Sequence, residues 1–230
     1  MMNHTLHHSP PAATIPTVAS DFDGTITTGQ AWKGMRDYLI AHGHARAFRL
    51  FFLRRLPSII LFRLGLLHVQ KFRENWILGM LGLFKGVSYE KFQQMANWVV
   101  EHEIWPNRRQ AVVDELQQHK QNGYRVIIIT GMFEPILAFV AQKLAMEGFG
   151  TPIEFQNNIC TGRIKAPFNK GERKVAQLQP FSHHGKIEIA YGDTWADIPM
   201  LEMSAHPVAV HPDDRLRKVA QERGWRILME

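Results

Sequence analysis

The chain carries a single cysteine, Cys160, so no internal disulfide framework can form, and that scarcity fits a reducing, cytoplasmic setting. There is no C-x-x-C pair to build a thiolate metal site. Residues 1–14 have neither the basic start nor the apolar run of a secretory signal, and their polar, proline-bearing character predicts a frayed tail despite three histidines. No apolar run reaches the roughly 18 residues of a membrane span. Acidic residues are missing between Arg46 and Arg73, where Arg49, Arg54, Arg55, Arg63 and Lys71 are interleaved with Phe48, Phe51, Phe52, Ile59 and Phe62, and the first acid is Glu74. Such a segment attracts anions, whether a phosphorylated substrate, a lipid head group or nucleic acid, and it is also what a helical lid with snorkelling arginines looks like. No repeat or low-complexity tract interrupts the chain.

What is present suits a moderate α/β domain. The 230 residues are 45% apolar, enough for a substantial core, and the formal charge is +6. Residues 16–20 read as a first buried strand. Helical periodicity then runs from about 30 to 122, with breaks expected at Gly43, Pro57, Gly65, Gly86-Val87-Ser88 and Pro106. Residues 124–131 are a continuous β-branched run and read as a central parallel strand. From there helix and strand alternate: helices over 135–146, 171–178, 197–203 and 215–223, strands over 153–155, 187–191 and 207–210, and an edge hairpin around 157–164. This alternation predicts right-handed βαβ units in a doubly wound, mainly parallel sheet. The domains expected are a tail over 1–14, a catalytic core over 15–29 and 107–230, and a helical cap over 30–106.

Three strand ends carry chemistry. The first gives Asp21-Phe22-Asp23-Gly24-Thr25, the second Thr130-Gly131, and the third Gly192-Asp193 with Asp197 four residues on; Lys170 opens a helix between the last two. Carboxyl ends of parallel strands are where open α/β sheets form their ligand crevices. Paired acids divide labour, one attacking a phosphorus and the other handling protons. Asp21 and Asp193 can supply hard oxygens to Mg²⁺, the Asp23 carbonyl is placed to add another, and Asp197 can bind a metal water or hold Asp193. The Thr130 hydroxyl, Gly131 N–H and Lys170 ammonium are placed to hold phosphate oxygens. Lys165, five residues earlier, is the rival lysine, disfavoured because it follows the hairpin instead of opening a helix. His183-His184 reads as a loop pair and not a metal pair, since adjacent side chains in a strand point to opposite faces. Trp195 either shapes the substrate entrance or packs over the sheet edge.

In this order the four elements resemble the motifs of the haloacid dehalogenase (HAD) superfamily of phosphohydrolases, over residues 17–210. The resemblance implies a Rossmann-like HAD fold, Asp21 as nucleophile, Asp23 as general acid–base, Mg²⁺ as cofactor and a small phosphorylated metabolite as substrate. The long helical insert and the Asn169-Lys170-Gly171 setting are similar to the IB, phosphoserine-phosphatase-like subfamily. That branch places an acid nine residues after the nucleophile to receive a substrate ammonium. Here Gln30 stands there, which weakens the case for phosphoserine itself. A phosphomutase would use the same core. The other reading is a membrane-surface or partner-binding module built on the basic, apolar cap; no nucleic-acid partner is expected.

Overall fold

The computed structural model describes residues 15–229; the tail expected over 1–14 lies outside them. A six-stranded sheet runs in the order β3-β2-β1-β6-β7-β8, with every neighbouring pair parallel. Its strands are β1 (Thr17–Ser20), β2 (Arg125–Phe133), β3 (Glu147–Thr151), β6 (Ile187–Gly192), β7 (Ser204–Val210) and β8 (Arg226–Leu228). A separate hairpin pairs β4 (Ile153–Gln156) with β5 (Ile159–Ile164). Its tip, Asn157-Asn158, has positive φ at both residues (50° and 62°), the geometry of a two-residue hairpin turn that asparagine tolerates.

Alternation within the central strands divides the core. Val18, Val126 and Ile128 face one side with α5 (Gln110–Gln121) and α6 (Glu134–Leu144). Ala19, Ile127 and Ile129 face the other, against α7 (Glu172–Leu178), α8 (Ile198–Glu202) and α9 (Asp214–Arg223). All four residues of β1 are buried, as a strand in mid-sheet must be.

Between β1 and β2 the chain forms α1 (Ala31–Ala41), α2 (Ala45–Arg63), α3 (Val69–Gly82) and α4 (Tyr89–Val99), the last running on through a π-helical segment, Val100–Ile104. Met35 of α1 and Phe92, Met95 and Val99 of α4 belong to the same hydrophobic cluster as Val18 and Ile136. These two helices therefore share the core of the sheet. Helix α2 is different: of its 19 residues only Phe51 is buried.

Three expectations shift. Pro57 does not break the chain but sits inside α2. Its missing N–H leaves the Leu53 carbonyl without its helical donor, and both residues are exposed, so water can take that place. The stretch 147–151, not foreseen as a strand because Gly148 and Gly150 dilute its pattern, pairs with β2 at the sheet edge. The hairpin stands apart from the main sheet and packs against the insert, with Gly86 N–H donating to the Cys160 carbonyl at 2.9 Å.

Candidate active site

The carboxyl ends of β1, β2 and β6 meet at one end of the sheet, and the turn after β1 brings its two acids there. Gly24 has φ +92°, and a Cβ at this position would overlap the Asp193 carboxylate. A glycine is therefore required both for the turn and for the approach of the third strand's acid. Oxygens of Asp21, Asp193 and Asp197 lie within 4.8 Å of one another. Thr25 bridges two of these acids, its hydroxyl 3.4 Å from Asp21 Oδ2 and 3.3 Å from Asp193 Oδ1.

Buried at the centre of this cluster is Lys174. Its Nζ lies 2.5 Å from Asp21 Oδ1 and 2.6 Å from Asp197 Oδ1. The second oxygen of Asp197 accepts hydrogen bonds from the Thr194 N–H and hydroxyl, at 3.2 and 3.0 Å, which fixes the loop after β6.

Sequence reasoning missed Lys174. It weighed Lys170 against Lys165, taking a lysine at the start of the helix as the one aimed at the site. The signal available was helical spacing, because Lys174 and Leu178 are i and i+4 on the inward face of α7 and both are buried. Lys170 precedes that helix, and its Nζ pairs with Glu74 of α3 at 3.2 Å. It still lines the same chamber beside Gly131. Lys165 is exposed.

The remaining expected residues are placed as follows. Asp23 borders the chamber, and its Oδ2 accepts a 2.9 Å hydrogen bond from the Thr130 hydroxyl. Thr130 is fully buried and its oxygen also accepts the Met132 N–H at 3.1 Å, so in this state its proton is spent on Asp23 and not on a phosphate. Gln30 lines the chamber, with its Oε1 accepting from the Trp32 indole at 2.7 Å. Trp195 is exposed, under the Arg215 guanidinium 5.0 Å from its ring. His183 and His184 form the turn into β6. Arg109, also unforeseen, donates from Nε to the Gly24 carbonyl at 3.0 Å and braces the acid-bearing turn.

Crowding dominates the electrostatics. Burial, with Asp21 and Asp197 adding like charge, pushes the Asp193 carboxyl up to about 9. Asp21 rises to about 7 for the same leading reason, despite the opposing pull of Lys174. Asp23 is exposed at the chamber, and its carboxyl is raised above the ordinary value by desolvation, against the Thr130 hydrogen bond. Burial alone would lower Lys174, but Asp197 and Asp21 more than reverse this and hold it above the ordinary lysine range. One ammonium cannot balance these carboxylates. Clustered hard oxygens short of positive charge are a fitting donor set for a divalent cation such as Mg²⁺.

The model of the haloacid dehalogenase-like hydrolases matches residues 18–202. The chain belongs to that family. Its relatives include a phosphoserine phosphatase of Mycobacterium tuberculosis, 30% identical over 140 residues, which cover 59% of this chain and 44% of that protein. A histidinol-phosphatase of Neisseria meningitidis is 30% identical over 143 residues, 58% of this chain and 62% of that protein. The chain thus spans less than two thirds of the length of either relative. A similar fold is seen in a Bordetella pertussis protein of unknown function, with TM-score 0.76 and 23% identity over 94% of this chain and 99% of that one.

Proposed function

We propose that this chain hydrolyses phosphomonoesters through an aspartyl-phosphate formed on Asp21, with Asp23 moving the protons and a divalent cation, Mg²⁺, as cofactor. The observation that carries the reading is the seating of Asp21. One oxygen is tied to a buried ammonium while the carboxyl group faces a chamber shared with Asp23. Membership of the hydrolase family supports it, as do the relatives named as phosphatases.

In the first step a carboxylate oxygen of Asp21 attacks phosphorus, the bond to the ester oxygen breaks, and that oxygen leaves with the Asp23 proton. In the second, water attacks the same phosphorus, Asp23 takes its proton, and Asp21 is released with inorganic phosphate. Thr130 holds Asp23 for both transfers. Lys174 keeps Asp21 in place and contributes positive charge beside the incoming phosphate. Asp21, Asp193 and Asp197 would hold the Mg²⁺, which when bound offsets repulsion between anionic nucleophile and anionic substrate. Gly131 and Lys170 line the phosphate side of the chamber, and Gln30 the side toward the leaving group.

Asp23→Asn is expected to lower turnover by roughly a hundredfold to ten-thousandfold, and by less for an aryl phosphate whose leaving group needs no proton. Comparing p-nitrophenyl phosphate with an alkyl phosphate tests this. Equal losses on both would remove Asp23 from the proton-donating role in a rate-limiting cleavage.

The cation is tested through stability. Asp21 and Asp193 bind protons more tightly in the fold, at about 7 and about 9, than at the ordinary value of 3.8. Folded protein therefore holds more protons than unfolded protein across that interval. Without metal, the stabilisation from these groups is complete below pH 4, declines as pH climbs toward the folded values, and is flat above them. The melting temperature in chelator should fall from pH 5 to pH 9, and the rise on adding Mg²⁺ should grow over the same range. A Mg²⁺ shift independent of pH would count against this donor set.

A further inference from the structure

The acids open into a cavity of about 1040 Å³ roofed by α2 and α3, at the upper end of the range for small-molecule sites. Beyond the aspartates its walls include Phe48, Phe52, Ile59, Phe62, Phe72 and Ile77, with Arg63 and Arg73 among them. Phe62 and Phe72 stack with centroids 4.2 Å apart and planes 5° from parallel, forming a flat aromatic panel. An amino-acid phosphate would need partners for an ammonium and a carboxylate. Glu74 is the one acid of the chamber wall outside the four aspartates, and Lys170 already neutralises it. Gln30 is held by Trp32, and Arg36 makes a bidentate pair with Asp37. The buried indole N–H of Trp76 has no acceptor among the described residues, and Arg63 and Arg73 also line the wall, so what the chamber lacks for an amino-acid phosphate is a partner for the ammonium.

Helix α2 carries the argument outward. Its opposite face is also apolar: Leu50, Leu53 and Ile60 are 49%, 59% and 56% exposed, and the C-capping Leu64 just beyond is 66% exposed. Arg49 and Arg54 flank that stripe, and no acid occurs from Tyr38 to Arg73. A helix apolar on two faces, bordered by arginines, suits a wall with an apolar ligand on one side and a lipid surface on the other. Among the described residues no helix is long and apolar enough to cross a membrane, so the contact is with the surface.

We infer that the substrate is a phosphomonoester bearing a long apolar chain, with the phosphate at Asp21, the chain in the aromatic chamber, and a bilayer touching the outer stripe of α2 as its source. This rests on the phosphatase reading above and names the substrate class for the same site.

The test is a series of straight-chain alkyl phosphates from ethyl to dodecyl, kept monomeric, alongside p-nitrophenyl phosphate and phosphoserine. With burial worth about 0.8 kcal/mol per methylene, kcat/KM should rise about threefold to fourfold per added carbon until the chamber is full, and phosphoserine should fall at least a hundredfold below octyl phosphate. Phe62→Ala and Ile59→Ser should each flatten the slope. A flat series in an enzyme that turns over p-nitrophenyl phosphate would overturn the inference and leave the phosphatase reading standing. If nothing is turned over, that reading fails. The chamber is then judged by dodecyl phosphate binding, read from Trp32 and Trp76 fluorescence, and no saturable change would overturn the inference.

For the source, lysophosphatidate in phosphatidylcholine vesicles is compared with soluble octyl phosphate. The paired change Leu53→Asp with Ile60→Asp should lower the vesicle rate about tenfold more than the soluble one. Equal effects would overturn the bilayer as source.

Discussion

Under the proposed mechanism, Asp21→Asn is expected to reduce phosphomonoester turnover by roughly ten-thousandfold or more while leaving the protein folded. An amide oxygen cannot form the acyl phosphate, and loss of a covalent nucleophile removes nearly all the catalysis that a group of cooperating residues provides. Protein quenched in acid during turnover should carry phosphate on a carboxyl group in the parent and none in the variant. The substitution also removes one member of a crowded acid cluster. Lys174 keeps its 2.6 Å contact with Asp197, so in chelator at pH 8 the variant should melt at or above the parent. A variant within tenfold of the parent rate would mean that water attacks phosphorus directly, and the covalent scheme would fall.

Lys174→Met is expected to damage both activity and stability. Its ammonium is the buried countercharge of two aspartates, and breaking a buried pair from one side costs about 3 to 5 kcal/mol because the partner charges remain. Activity should drop roughly a hundredfold to a thousandfold, the usual effect of losing one preorganised electrostatic contact. Lys170→Ala is the control. Its pair with Glu74 is about a third exposed on both sides, and such pairs contribute only about 0 to 1 kcal/mol. Its effect on the melting temperature should be small and its effect on turnover about tenfold. Steady-state rates and thermal melts of the two variants decide the order. If Lys170→Ala were the more severe for turnover, Lys170 would be the lysine that meets the phosphate, leaving Glu74 when substrate binds.

The sheet was legible because buried parallel strands write themselves as runs such as Val126-Ile127-Ile128-Ile129, and because each acid follows such a run directly. That adjacency led to Asp21, Asp23 and Asp193 from local sequence alone. Lys174 was not legible in the same way. Its role depends on α7 lying across the strand ends so that the fourth residue after Lys170 points inward, a tertiary fact that adjacency does not encode. Thr130 shows the complementary difficulty: its position at the end of β2 was readable, whereas the choice of Asp23 as its acceptor depends on side-chain reach across two strands. The edge strand at 147–151 was hidden by its glycines, one of which, Gly150, has no room for a side chain beside the backbone of Glu134. Pro57 was misread for a converse reason, since its cost in a helix depends on whether water can reach the orphaned carbonyl.

The sparse burial of α2 separates local from global stability. A helix of 19 residues in which Phe51 alone is buried, its other contacts being partly exposed rings such as Phe62 on Phe72, adds less to the cooperative core than α1 and α4, which share that of the sheet. It is therefore expected to open at less than the full free energy of unfolding, which hydrogen exchange of its amides would show as weaker protection than in α1 and α4. Filling the chamber would give its inner face the contacts the protein does not supply, so occupancy and the ordering of this helix are thermodynamically linked. The roof over the acids would then be a local folding equilibrium that the ligand completes.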